Sequence, residues 1–345
     1  MSTPSPKKIL IIRPSALGDV CRTVPVLAAI RARFPDAQID WLVQDSFAGS
    51  IVHHPALNNV IEFPRKTLSK QLRKGHIRPL IHWLRTLRAP RYDLVIDAQG
   101  LLRSAFFAFI SGAKERYGYR NAQELGWIFY TRRIDAPKNG HTVDRMLALA
   151  EGIGCDISKP DLRLFTGPDE LSEVVIEYPD PYIVLAPTSR WGSKRWPVER
   201  FVELAESLAK RGTHRVILVG GPGERLQCAP LVELAREHPH ITDRIGSTSI
   251  TQLMALISRA DLVVANDSAA LHMAVGFGRK IVALFGPTDA SLVGPYRRDD
   301  SVIQHIEHGD TLDHKDKANA LIMERIATEE VLQRCIEQIQ EKTRV

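Results

Sequence analysis

Lys8-Ile9-Leu10-Ile11-Ile12-Arg13-Pro14-Ser15-Ala16-Leu17-Gly18-Asp19 decides the fold class. A short apolar run ends in a Pro/Ser loop. A helix-period segment follows at once, with Val20, Val24, Leu27, Ala28 and Ile30 on one side. A buried strand opening through a loop into an amphipathic helix is half of a βαβ unit. Outward from it the alternation repeats. Strands are expected at Lys8–Arg13, Ile39–Val43, Val60–Phe63 and Leu94–Ala98, and helices at Asp19–Phe34 and Leu101–Ser111. Lys159-Pro160, Gly167-Pro168 and Pro179-Asp180-Pro181 then break the pattern. It restarts with strands at Tyr182–Ala186, Val216–Val219, Leu262–Ala265 and Ile281–Phe285. The accompanying helices are Val198–Arg211, Ile250–Ser258 and Ser268–Gly276, with a closing helix at Thr328–Lys342. The fold class is therefore α/β, two Rossmann-like domains in series on parallel sheets. The expected division is 1–160, 161–327 and a closing helix at 328–345. Ligands of such sheets bind outside the carboxyl ends of the strands, so the expected site is a cleft between the halves.

Composition agrees with a globular protein. The chain has 345 residues, 44% hydrophobic and 25% charged, which excludes a disordered or collagen-like chain. Lys+Arg 46 against Asp+Glu 40 leaves +6. Cys21, Cys155, Cys228 and Cys335 form no C-x-x-C pair, so neither a cysteine zinc site nor a disulfide framework is expected, and reduced thiols fit a cytosolic protein. The first residues lack the apolar core of an export signal, and the longest apolar patch, Ala105 to Ile110, is far short of a membrane span. No Gly is followed by Lys, which excludes a P-loop. H-E-x-x-H, G-x-S-x-G and Asp-x-Asp are also absent.

The residues just after the strands carry the chemistry. In the first loop Ser15 can cap the helix and Gly18 permits a tight turn. Asp19 is either an N-cap favoured by the helix dipole or a general base. Asp97-Ala98-Gln99-Gly100 ends a strand in a carboxylate that needs a partner and reads as structural, orienting Ser104 or the first loop. Thr188-Ser189-Arg190-Trp191-Gly192-Ser193-Lys194-Arg195-Trp196-Pro197 mixes hydroxyls and cations, suited to phosphate oxygens, with flat rings. A solvated basic loop is the competing reading. Gly220-Gly221-Pro222-Gly223 lets backbone approach a ligand but lacks the third glycine of a dinucleotide fingerprint. Glu224 after it is either a ribose or base contact or a surface turn residue. In Asn266-Asp267-Ser268-Ala269-Ala270-Leu271-His272, Asp267 or Ser268 can cap a helix whose free N–H groups make an anion site. His272 lies one turn inside. Phe285-Gly286-Pro287-Thr288-Asp289 borders the same site or forms a simple turn. His305, His308 and His314 read as solvated.

From Arg65 to Arg91 there is no acid. Arg65, Lys66, Lys70, Arg73, Lys74, Arg78, Arg85, Arg88 and Arg91 alternate with Leu68, Leu72, Leu80, Trp83, Leu84 and Leu87. That pattern suits amphipathic helices that are simply solvated, meet an anionic membrane surface or hold an anionic lipid-linked substrate. No nucleic-acid motif accompanies it.

Together, Arg13 to Asp19, Asp93 to Ser104, Lys194-Arg195-Trp196-Pro197, Asn266-Asp267-Ser268 with His272, and Phe285 to Asp289 resemble glycosyltransferase family 9, the lipopolysaccharide heptosyltransferases. The resemblance runs from about Lys8 to Tyr296. It implies GT-B architecture, an acceptor-binding front half and a donor-binding rear half, and inverting heptose transfer from ADP-heptose without a bound metal or other cofactor. The acceptor implied is an anionic lipid-linked saccharide, the inner core of lipopolysaccharide. The implied setting is cytoplasmic, with peripheral contact at the inner membrane face and no nucleic-acid partner. Carried over, Asp19 is the general base. Thr188, Ser189, Lys194, Glu224, Asp267, Ser268, Ala269 and His272 are donor contacts, and Ser15, Gly18, Arg65, Lys66, Lys70, Arg73 and Arg120 acceptor contacts. Ala269 stands where the family often has Gly, which bears on donor affinity. Two other readings are a GT-B transferase or epimerase using a UDP-sugar and a non-catalytic nucleotide- or lipid-binding relative.

Overall fold

A computed structural model describes residues 5–340 apart from Lys138. The chain divides into two compact units, with the break between Phe165 and Thr166. The first carries β1 (Lys8–Ile12), β2 (Gln38–Gln44), β3 (Asn59–Phe63), β4 (Leu94–Asp97), β5 (Glu115–Tyr119) and β6 (Arg132–Ile134). Their order is β3-β2-β1-β4-β5-β6, parallel throughout. The second carries β7 (Tyr182–Ala186), β8 (Arg215–Leu218), β9 (Ile241–Asp243), β10 (Leu262–Asn266), β11 (Lys280–Leu284) and β12 (Val302–Ile303). Its order, β12-β11-β10-β7-β8-β9, is the same topology read from the other edge. In each sheet the strand order reverses beside the first strand, at β1/β4 and β7/β10. In sheets of this kind ligands bind outside the carboxyl ends of the strands at such a switch point.

The apolar strands form because both sheet faces are covered by helices. In the first unit Leu10, Ile12, Leu42 and Val95 pack with Phe63, Trp83 and Phe107, whose rings lie 5.0 Å apart. In the second, Leu185, Leu218, Val264 and Leu284 lie with Trp196, Phe201 and Leu204. The closing helix Thr328–Gln340 puts Val331 and Cys335 into that core. Glu341 and Lys342, assigned to this helix from the sequence, lie outside the described residues, as do Met1 to Pro4. All four cysteines are buried and free, and burial pushes their thiols up to about 11 or 12.

Several elements differ from the sequence reading. Strands β5, β6, β9 and β12, at or next to a sheet edge, were not expected, and neither were helices Thr142–Glu151, Pro168–Glu177 and Ala229–Glu237. Glu115-Arg116-Tyr117-Gly118-Tyr119, between β4 and the edge strand β6, has no apolar run, and its first three residues are only partly buried. The basic segment forms two helices, Arg65–Arg73 and Arg78–Arg88, turned at Gly75, whose φ of 78° suits glycine.

Candidate active site

In the first unit, the helix after β1 spans Leu17–Arg33 and starts two residues earlier than the sequence suggested. Its N-cap is Ala16, which has no capping side chain. Ser15 is not the cap; its N–H donates to Gln99 Oε1 at 3.2 Å, tying the loops after β1 and β4. Nor is Asp19 the N-cap. It sits in the first turn and accepts from the Ala16 N–H at 3.2 Å. Gly18 is the second residue of the helix.

Two arginines hold Asp19. Arg13 Nη2 lies 2.9 Å from Oδ2, and Arg22, one turn along the helix, donates to Oδ1. Burial opposes the charge, but Arg13, Arg22 and the Ala16 N–H outweigh it and hold the carboxyl well below the usual carboxylate range. Asp19 is thus ionised throughout the physiological range, and its side chain remains 23% exposed. Arg13 also donates to the Ala98 carbonyl, so one guanidinium joins the loop after β4 to the carboxylate. The Nε atoms of Arg13 and Arg145 are buried without a hydrogen-bond acceptor among the described residues. Both guanidinium charges bear on the Tyr119 phenol, which burial drives upward.

Asp97 fills the structural role. Its Oδ1 accepts from the Gln99 and Gly100 N–H groups at 2.8 and 3.2 Å, and the Tyr130 hydroxyl donates to Oδ2 at 2.6 Å. Burial raises its pKa. Tyr130 reaches it because Gly118 has no side chain. A Cβ there would stand 2.3 Å from the Tyr130 ring.

The expected acceptor residues disperse. Arg65 lines a small pocket with Ser15, Gln44, Gln99 and Arg103. Lys66, Lys70 and Arg73 are exposed on their helix and do not line it. Arg120 pairs with Asp135 at 2.7 Å on the surface. The basic segment is not one surface. Arg85, Arg88 and Arg91 line a separate hollow with Lys7, Asp93 and Lys114, residues at the amino ends of the strands.

In the second unit the residues converge. Asn266, the last residue of β10, is fully buried. Its Nδ2 donates to the Pro187 carbonyl at 2.8 Å, and its Oδ1 accepts from the Trp196 N–H at 3.2 Å. Asn266 therefore stitches both ends of the loop after β7 to β10. Ser189 Oγ donates to the Asp267 carbonyl at 3.0 Å, and Lys194 Nζ lies 2.5 Å from Asp267 Oδ2. Asp267 is thus a lysine partner rather than a helix cap. Ser268 is the N-cap of Ala269–Gly276, yet its hydroxyl makes no capping bond. Ser268 Oγ and Thr288 Oγ1 are buried with no hydrogen-bond partner among the described residues. A buried hydroxyl without a partner costs stability unless a ligand supplies one. Gln304 Nε2 holds the Thr288 loop by donating to the Gly286 and Thr288 carbonyls at 2.7 and 2.8 Å. Ala269 opens the helix, and His272 is buried one turn further on.

Glu224 accepts from the Gly221 N–H at 2.6 Å and so closes its own turn. A Cβ on Gly220 would lie 3.1 Å from Thr188 and 3.5 Å from Glu224, so this turn borders the Thr188 loop. His314 corrects the sequence reading. It is not simply solvated: its ring lies 5.2 Å from Trp191, its carbonyl accepts from Ser193 Oγ at 2.5 Å, and burial and Lys194 lower its pKa. His305 pairs with Glu330 at 2.7 Å, while His308 is exposed. Asn266 and Gln304 were missed as positioning residues, His314 was read as solvated, and Thr288 was marked only as part of a loop that borders the anion site or forms a simple turn. Asn266 and Thr288 stood in the loops the sequence marked; Gln304 and His314 come from a stretch with no periodic signal. Among the described residues no cluster of His, Cys, Asp and Glu is arranged to hold a metal.

The profile of glycosyltransferase family 9 (heptosyltransferase) matches residues 81–322, the larger part of the chain. The chain belongs to glycosyltransferase family 9. The matched segment contains all of the second-unit cluster and begins beyond Asp19. The chain is 31% identical over 299 residues to lipopolysaccharide heptosyltransferase 1 of Pseudomonas aeruginosa, covering 84% of this chain and 82% of that protein. It is 28% identical over 311 residues to the lipopolysaccharide core heptosyltransferase OpsX of Haemophilus influenzae, covering 88% and 86%. Among solved structures, the E. coli heptosyltransferase WaaC with ADP superposes at a TM-score of 0.77 with 25% identity, covering 96% of this chain and 99% of that one. The family 9 protein is accordingly a glycosyltransferase of GT-B fold.

Proposed function

We propose that this family 9 enzyme moves a heptose from ADP-heptose to an anionic, lipid-linked inner-core acceptor of lipopolysaccharide, with inversion and without a metal. The carrying observation is the pair of partnerless buried hydroxyls, Ser268 and Thr288, beside Lys194 and a helix start. Hydroxyls, a cation and free N–H groups are the donor set a diphosphate needs. The named relatives, and the ADP in the E. coli structure, support an adenosine diphosphate leaving group.

In this reading the acceptor hydroxyl lies at Asp19 and its oxygen attacks the anomeric carbon. A carboxylate as acidic as Asp19 is a weak base toward a neutral alcohol. It takes the proton late, when the forming C–O bond has made that oxygen strongly acidic. Arg13 and Arg22 keep Asp19 ionised for that moment, and Arg13, Arg145 and Arg65 receive the acceptor's anionic groups. The bond to the diphosphate breaks as the new C–O bond forms, and Lys194, Ser268, Thr288 and the helix start take up the charge developing on ADP. Thr188, Ser189, Glu224 and His272 line the nucleotide end, and Ala269 lies at the diphosphate. The reaction is placed in the cytoplasm, at the inner face of the membrane. No helix among the described residues is long and apolar enough to cross it.

The test is to incubate the protein and the acceptor with a panel of nucleotide sugars, with and without EDTA, and identify the released nucleotide by mass. ADP from ADP-heptose in both conditions is expected. Release of UDP from a UDP-sugar alone would replace the donor, and loss of turnover in EDTA would remove metal independence.

A further inference from the structure

The helix after β4, Leu102–Ile110, turns an apolar face outward. Leu102, Phe106 and Phe109 on it, with Leu125 and Ile128 on the adjoining single turns Gln123–Phe129, are between 37% and 64% exposed. They form one patch. The Phe129 ring lies 6.0 Å from Phe106 and 5.4 Å from Phe109. A folded protein gains nothing by showing five large apolar side chains together to water. The backbone is also bent to do so. Glu124 and Leu125 have φ of 54° and 62°, a left-handed conformation costly for non-glycine residues, and Leu125 is the most exposed of the five.

Cations rim the patch. Arg116 lies 5.8 Å from the Phe109 ring centre, and Arg133 lies 4.6 Å from that of Trp127. Arg103 belongs to the same helix. At the helix's lower end Arg88 reaches the Ile110 carbonyl at 3.5 Å, which joins the patch to the hollow lined by Arg85, Arg91, Lys7 and Lys114. The nearby acids are few. Glu115 is paired with Arg132, the Glu124 carboxylate accepts from the Leu102 N–H, and Asp93 accepts from the Lys7 and Lys8 N–H groups.

An apolar face with an aromatic and arginine rim is the chemistry of a surface that lies in a lipid headgroup layer. A second copy of this chain is disfavoured as the occupant, because a two-fold contact would set these cations against their own copies. We infer that Leu102, Phe106, Phe109, Leu125 and Ile128, with Arg103, Arg116 and Arg133, dock this unit on an anionic phospholipid bilayer. The surface runs from Leu102 and Arg103, beside the Ser15 pocket, away along the flank of the unit. It thus differs from the Arg65–Arg73 helix that the sequence singled out. The inference builds on the membrane setting proposed above and concerns a surface that touches the Ser15 pocket at Arg103 and otherwise leads away from it.

The test uses the full chain in flotation with vesicles of phosphatidylcholine alone or with phosphatidylglycerol added. The intact protein should float with the anionic vesicles and much less with the neutral ones. Leu125→Ser with Ile128→Ser should weaken binding about tenfold or more, and Arg133→Glu, away from the Ser15 pocket, by about the same factor. Both variants should melt as the parent does and keep full turnover on an acceptor stripped of its acyl chains. Equal flotation of parent and both variants, or equal binding to neutral vesicles, would overturn the assignment. So would a dimer in solution that the Ser variant dissociates. If the parent fails to float yet still glycosylates a lipid-linked acceptor, the docking surface is wrong while the proposed function stands.

Discussion

The two switch points share a topology and differ in chemistry. At β1/β4 the loops are joined through charge: Arg13 bridges the Ala98 carbonyl and Asp19, and Arg22 completes the clamp. At β7/β10 they are joined by a neutral amide: Asn266 bonds the Pro187 carbonyl and the Trp196 N–H. Asp97 and Asn266 end equivalent strands, and both are fully buried. Asp97 serves its own loop and Tyr130, whereas Asn266 serves the loop across the switch point. The first unit thus spends its polar groups on fixing the charge of one carboxylate. The second fixes a backbone frame and leaves hydroxyls open for a ligand.

Breaking the charged half should have the largest effect. Asp19→Asn should lower turnover by about 100-fold or more while ADP affinity, measured by calorimetry, stays at the parent value. Unchanged turnover would remove Asp19 from the chemistry. In the other half, Lys194→Met should weaken ADP binding by about 10- to 100-fold, the range for a hydrogen bond to a charged group. Equal affinity would leave Lys194 as a partner of Asp267 only. Thr288→Val separates ligand binding from folding. The hydroxyl it removes has no partner among the described residues, so thermal stability should hold or rise by up to about 1 kcal/mol while ADP binds several-fold more weakly. A loss of stability would mean that the hydroxyl serves the fold.

The smallest effect expected is with pH. The folded-state pKa of Asp19 is depressed, so its contribution to stability is fully present above the unfolded value of about 3.9 and is lost only as pH falls through the lower folded value. Between pH 5 and 8, on the order of the range usually assayed, Asp19 stays ionised. The profile of kcat/KM should then show no acid limb that Asp19→Glu displaces; a limb that moves with this substitution would mean that the arginines release the carboxylate before reaction.

The periodic stretches carried most of the fold. Lys8–Ile12, Tyr182–Ala186 and Leu262–Asn266 are buried on both faces, so their apolar runs announce them. Loops placed after such strands hold the residues proposed above as the site, because parallel sheets bind ligands at that end. Strands near a sheet edge, such as Glu115–Tyr119, stayed hidden, since partly covered strands need no apolar run. The sequence by itself determined two repeats of one topology and the loops proposed to carry the chemistry, through local periodicity and turn residues. Only the tertiary structure decided that Asp19 is clamped by two arginines, that Asp267 pairs with Lys194 rather than capping its helix, that His314 joins Trp191, and that distant apolar residues share one exposed face. Those pairings join residues far apart in the chain or turn on side-chain direction, and neither is encoded in spacing along a strand or helix.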